Sequence, residues 1–178
     1  MEEPITLADY DPAWGQRFQV EREALETVLR PWLAGPIEHI GSTAIPGMIA
    51  KPIIDIMACV ADLVSSMPAR AAVRDLEYQY YPYRSDVMHW FCKPSPSRRT
   101  HHLHLVPINA PLWAERLAFR DYLRANGTAA SAYAELKLDL AKRYRFDREA
   151  YTHAKSDFVA EVLALARSAG PPSSTRGR

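Results

Sequence analysis

Ile37-Glu38-His39-Ile40, then Gly41-Ser42-Thr43-Ala44-Ile45-Pro46-Gly47, then Lys51-Pro52-Ile53-Ile54-Asp55-Ile56-Met57: the fold turns on how this stretch is read. The first four residues read as a short strand. A Gly-Ser turn and a Pro-Gly loop follow, and Pro52 to Val60 reads as a second strand. Asp55 stands at the centre of that strand with apolar residues on both sides. Charged side chains are seldom buried without a partner. A carboxylate in that place is expected to hold something.

Upstream, Ile5 to Ala8 suits a short strand, and Asp11-Pro12 suits a helix start. Trp14, Phe18, Leu25, Val28 and Leu29 then recur at helical spacing, which predicts a helix from Pro12 to about Leu29. Downstream, Ala61 to Asp75 reads as helical, with Met67-Pro68 as a start. Tyr78, Tyr80, Tyr81 and Tyr83 suit a strand or its edge. Met88 to Lys93 and Thr100 to Val106 read as an antiparallel hairpin around the turn 94–99. Three helices are expected after Ala110: Pro111 to Ala125, Thr128 to Tyr144, and Asp147 to Arg167. Strands dominate the first 107 positions and helices the rest, which predicts an α+β fold in one domain over residues 1–168. A Pro/Ser/Arg-rich tail over 169–178 is expected to be disordered.

The 178 residues are 48% hydrophobic, enough for a sizeable core, and carry a formal net charge of +1. Near neutrality gives no basis for bulk attraction to nucleic acid or to a membrane. The two cysteines, Cys59 and Cys92, lie in apolar stretches and form no CxxC motif, so core roles in a reduced, intracellular chain are expected. The acidic start Met1-Glu2-Glu3-Pro4 lacks an apolar signal region, and no apolar run nears the ~18 residues of a membrane span. A cytoplasmic location is expected.

Strand periodicity puts Ile53, Asp55 and Met57 on one face. It groups His102 and His104 with Thr100 on one face of their own strand, while Leu103 and Leu105 point into a core. One carboxylate and two imidazoles from neighbouring strands could form a divalent-metal or acid/base constellation. The plainer reading is a pair of satisfied core histidines. Gly41-Ser42 after a strand could cradle phosphate or be an ordinary tight turn. Lys51, Arg98, Arg99, Lys137 and Lys155 could converge on phosphate charge or be separate solvated cations. No Gly-x-Ser-x-Gly elbow and no Walker motif is present.

The segments 38–47 and 51–56 together resemble the GrpB family, also called UPF0157. Arg99-Thr100-His101-His102-Leu103-His104-Leu105 is similar to that family's histidine strand, and the resemblance covers about residues 5–167. It implies a nucleotidyltransferase-like mixed sheet with flanking helices and a C-terminal helical portion. The implied activity is metal-assisted transfer of a nucleoside monophosphate from a nucleoside triphosphate to a small-molecule or protein acceptor. The implied roles are Gly41 and Ser42 as the phosphate turn and Asp55 as the first metal carboxylate. His102 or His104 would be ligand or base, and Lys51, Arg99 and Lys155 would steady phosphate. Met57 departs from the pattern, standing where a second carboxylate belongs. That leaves room for a different ligand set, Asp55 with His104 and Glu38, and for Mn²⁺ or Zn²⁺ beside Mg²⁺. It also leaves two other functions open: a non-catalytic module for a nucleotide or other anion, and a metal-dependent hydrolase or lyase. Family members also occur fused to dephospho-coenzyme A kinase, which implies a nucleotide or cofactor context.

Overall fold

The α1 helix, Ala13–Leu29, turns Trp14, Phe18, Leu25 and Leu29 inward, as the helical spacing requires. Asp11 caps its start, accepting from the Ala13 amide at 2.9 Å. That apolar stripe packs on one face of a sheet, against Ile54, Ile56, Ala58, Leu103 and Leu105. The structure is a computed structural model and describes residues 4–169. The tail expected over 169–178 lies outside the described residues, apart from Ala169.

The sheet holds β1 (Leu33–Ile40), β2 (Ile54–Val60), β3 (Gln79–Tyr81), β4 (His89–Pro94) and β5 (Arg99–Pro107). Their spatial order is β1-β2-β5-β4-β3. β2 and β5 run parallel, and the other pairings among the described strands are antiparallel. The expected mixed sheet and the β4–β5 hairpin are therefore both present. Register sets Asp55 beside His102 and Met57 beside His104 on adjacent strands. Cys59 and Cys92 are free and buried, as expected of core thiols.

The second face is covered by α3 (Pro111–Ala125), whose Leu112 and Trp113 pack on Ile40, Met57, Cys59, Trp90 and Val106. Next come α4 (Gly127–Arg143), α5 (Arg148–His153) and α6 (Ser156–Ala169), after a short α2 (Ala69–Ala72) earlier in the chain. Leu123, Tyr133 and Val162 from these helices enclose Ile45 and Met48 of the loop between β1 and β2. The C-terminal helices thus hold the loop that follows the Gly-Ser turn. None of the described helices is long and apolar enough to cross a membrane.

Three expectations need correction. Ile5 to Ala8 forms no strand; Ala8 makes only a single bridge, to Ala50. The helix expected over 61–75 shrinks to α2 and a 3-10 turn over Val73–Leu76. Asp62 accounts for this, because its carboxylate accepts from the Ser65 amide at 2.8 Å and the Ser65 hydroxyl at 2.6 Å. Such local bonds offer the backbone an alternative to the helix. The helix expected over 147–167 is two, α5 and α6, broken at Ala154-Lys155. That break brings the Lys155 ammonium over the Tyr151 ring, at 4.1 Å from its centroid.

Candidate functional site

Asp55, His102 and His104 meet on the α3-covered face, near the start of β2 and β5. One ligand atom from each lies within 4.8 Å of the others. His102 Nδ1 is 2.9 Å from Asp55 Oδ1. An ionised carboxylate only accepts, so His102 donates there and leaves its Nε2 with a lone pair. His104 Nδ1 is 3.4 Å from Met88 Sδ, an acceptor, which likewise leaves a lone pair on His104 Nε2. That nitrogen stands 3.7 Å from Asp55 Oδ1. Two acceptors facing one another require a shared proton or cation. Both Nε2 atoms are buried and have no hydrogen-bond partner, whereas buried polar atoms are ordinarily satisfied.

The electrostatics agree with this. Burial opposes ionisation of Asp55, but the His102 hydrogen bond and the neighbouring His104 imidazole outweigh it and hold the carboxyl well below the usual range. Burial pushes the His104 imidazole down despite Asp55, favouring the neutral ring a metal needs. Two imidazoles and one carboxylate, with one carboxylate instead of two, fit Mn²⁺ or Zn²⁺ better than Mg²⁺. Met57, where a second carboxylate was sought, is fully buried core.

Gly41 makes the approach to Asp55 possible. It adopts φ 71° and ψ −172°, and a Cβ there would lie 2.5 Å from Asp55 Oδ2. Ser42 next to it accepts from the Lys137 ammonium at 3.0 Å. Lys137 also donates to the Ile49 carbonyl, closing both ends of the loop. Arg124 Nε donates to the Ala44 carbonyl at 2.9 Å. The turn is thus fixed from α3 and α4.

Glu38 is on the same face but does not join the three-ligand cluster. Arg120 Nη1 holds its carboxylate at 2.6 Å and also donates to the His39 carbonyl, while Arg120 Nε donates to Asp121 at 2.7 Å. His102, not Glu38, completes the set with Asp55 and His104. Arg120 is buried and its planar fork serves three acceptors, which an ammonium cannot match. Arg120→Lys is expected to lower stability by about 1 to 2 kcal/mol in urea denaturation. An unchanged midpoint would show that the fork contributes nothing.

Several cations couple electrostatically to the cluster. Lys51 and Lys155 both lie against the Tyr151 ring, at 4.7 and 4.1 Å from its centroid. Each also senses the Asp55 charge. Arg116 on α3 senses His104 and Lys155. Arg99 sits over the Trp90 ring at 5.3 Å. Among the described residues, Lys51, Lys155 and Arg116 form no ion pair. Arg116 and Tyr151 were missed by the sequence reading. The one available signal for Arg116 was its place one turn before Arg120 on a helix.

Burial followed by Arg148 lowers Lys51 to about 8, burial and then Lys51 lower Lys155 to about 8, and burial and then Lys155 lower Lys137 to about 7. Unfolded lysines stay protonated to about 10.5, so the unfolded chain binds more protons above pH 7. Stability is therefore expected to rise from pH 7 to about 9. A gain of at most about 5 kcal/mol in that window is expected, reached if the three lysines titrate independently. Above it, burial-raised Cys59 and Cys92 oppose the trend, because their thiols ionise only in the unfolded chain. Urea midpoints across this range test the sign, and a monotonic fall from pH 7 would contradict it.

Residues 4–165 match the family model described as GrpB protein. A UPF0157 protein of Pseudomonas aeruginosa is 42% identical over 93% of this chain and 69% of its own. The glutamate-rich protein GrpB of Alkalihalophilus pseudofirmus is 34% identical, covering 89% of this chain and 94% of that one. The crystal structure of conserved protein GrpB from Enterococcus faecalis superposes with a TM-score of 0.82 at 30% identity, over 92% of this chain and 98% of that chain.

Proposed function

The chain belongs to the GrpB family, and on that premise we propose a metal-assisted nucleotidyl-transfer centre at Asp55. The reading treats the sheet as nucleotidyltransferase-like. Asp55, His102 and His104 would hold a divalent ion, Mn²⁺ or Zn²⁺ before Mg²⁺. Bound there, the ion would polarise a phosphoryl oxygen as a Lewis acid. Lys51, Lys155 and Arg116 would offset the charge of a nucleoside triphosphate. Gly41 leaves the Asp55 carboxylate its room, and the Ser42 hydroxyl, held by Lys137, faces the same turn. In the reaction, an acceptor hydroxyl or amine attacks the α-phosphorus, the bond to pyrophosphate breaks, and, with both free imidazole lone pairs committed to the ion, the acceptor's proton passes to solvent.

The observation that carries this reading is the pair of buried, unpartnered imidazole nitrogens beside Asp55, in a site whose charges are felt by Lys51, Lys155 and Arg116, which form no ion pair among the described residues. Met57 favours a second reading, a pocket that binds a nucleotide or another anion without chemistry. The His₂-carboxylate set also occurs in metal hydrolases. Thermal-shift measurements with ATP, GTP, CTP and UTP, each with Mn²⁺, Zn²⁺ or Mg²⁺, test binding. Product analysis then separates the readings. Pyrophosphate release with a labelled acceptor supports transfer, inorganic phosphate supports hydrolysis, and a shift without products supports binding alone. No nucleotide shift with any metal would overturn the nucleotide reading.

A further inference from the structure

We infer that Tyr81 and Tyr83, braced by the buried Trp90, form a stacking subsite for the nucleobase of the ligand bound at Asp55. Only the identity of the ligand's phosphate end rests on the reading above. The ring of Trp90 lies 5.0 Å from that of His102, tilted by 51°. Tyr81 and Tyr83 also meet Trp90 edge-on, at 6.2 and 6.1 Å. An unbroken aromatic run therefore starts at a candidate ligand of the metal and ends in solvent.

The run is more than sheet packing. Tyr81 is the cross-strand partner of Trp90, and such pairs stabilise sheets. Tyr83 is not on β3. Its amide donates to the Tyr81 carbonyl at 2.8 Å, and this tight turn folds it back beside Trp90. After this packing, Tyr81 and Tyr83 remain 53% and 51% exposed. Arg99 caps the Trp90 ring and also senses Lys51, so cationic and aromatic groups border the same cluster. A ligand with a charged phosphate chain and a flat ring matches that division. Aromatic rings accept any base through its π-face, which predicts weak discrimination among bases.

Calorimetric titration with Mn²⁺ present tests this, using ATP, tripolyphosphate and adenosine as separate probes. The proteins are wild type, Tyr81→Ala/Tyr83→Ala and Tyr81→Phe/Tyr83→Phe. Both tyrosines are half exposed, and circular dichroism checks that each variant folds. ATP is expected to bind roughly 5- to 100-fold more tightly than tripolyphosphate. The alanine pair erases that advantage and leaves tripolyphosphate affinity unchanged, while the phenylalanine pair keeps it. Equal affinities of ATP and tripolyphosphate on wild type would overturn the subsite and leave the phosphate reading intact. An advantage that survives in the alanine pair would overturn it too. Adenosine binding that the alanine pair loses, with no tripolyphosphate binding, would uphold the subsite and overturn the phosphate reading. Binding of none of the probes would overturn both.

Discussion

Mn²⁺ at a hundredfold excess over its Kd is expected to raise the melting temperature of the wild-type protein by about 5 to 10 °C. Asp55→Asn should remove that shift. The expectation follows from linkage, since a ligand that binds only the folded state stabilises it by about 2.7 kcal/mol at that excess. Asparagine keeps the shape of the side chain and can still accept from His102 Nδ1. It loses the charge that a hard or borderline cation requires. The His104→Gln protein should also lose the shift, because His104 Nε2 faces Asp55 at 3.7 Å. Glu38→Gln should keep it, since Arg120 already occupies that carboxylate. Mn²⁺ is the better probe, because Zn²⁺ also binds cysteines and histidines of the unfolded chain and so weakens the effect. A full shift in Asp55→Asn would place the ion elsewhere. Loss in Glu38→Gln would restore the alternative set of Asp55, His104 and Glu38.

Gly41→Ala is expected to cost about 4 kcal/mol and to abolish metal binding with all three ligands still present. Two effects combine. The backbone at φ 71° and ψ −172° lies in a region essentially reserved for glycine, which costs an alanine of order 1 to 3 kcal/mol. The added methyl would also meet Asp55 Oδ2 at 2.5 Å. Relieving that overlap moves the carboxylate or the strand, and overpacking of this kind costs typically 1 to 3 kcal/mol. The urea midpoint reads the first effect, and the Mn²⁺ shift reads the displacement of Asp55. A Gly41→Ala protein with wild-type midpoint and wild-type shift would show that the turn does not press on the carboxylate.

The sequence made the core of the site legible because strand periodicity is local. Asp55 in an apolar strand, and His102 with His104 two apart, put side chains on definite faces without knowledge of partners. Their meeting depends on β2 and β5 pairing in one register, which periodicity alone does not contain. Glu38 shows the limit. It shares the face of Asp55, but Arg120 lies 82 residues away and its claim on the carboxylate leaves no local trace. Lys137 was noted as a cation on a later helix, yet its bonds to Ser42 and Ile49 could not be read from spacing. The helix over 147–167 failed for a different reason. Its apolar period runs on through Lys155 although the backbone breaks there, because the period records burial on one side and not backbone continuity.

The parallel contact between β2 and β5 divides the sheet into two antiparallel units, β1–β2 and β5–β4–β3, joined along one seam. Asp55 lies on one side of that seam and both imidazoles lie on the other. In sequence Asp55 and His102 are 47 residues apart. An ion held between them therefore acts as a removable cross-link, closing a long loop that the unfolded chain leaves open. Its effect should concentrate where the two units join. Amide exchange along β2 and β5 should slow when metal is added, while the outer strand β3, remote from the seam, keeps its rate.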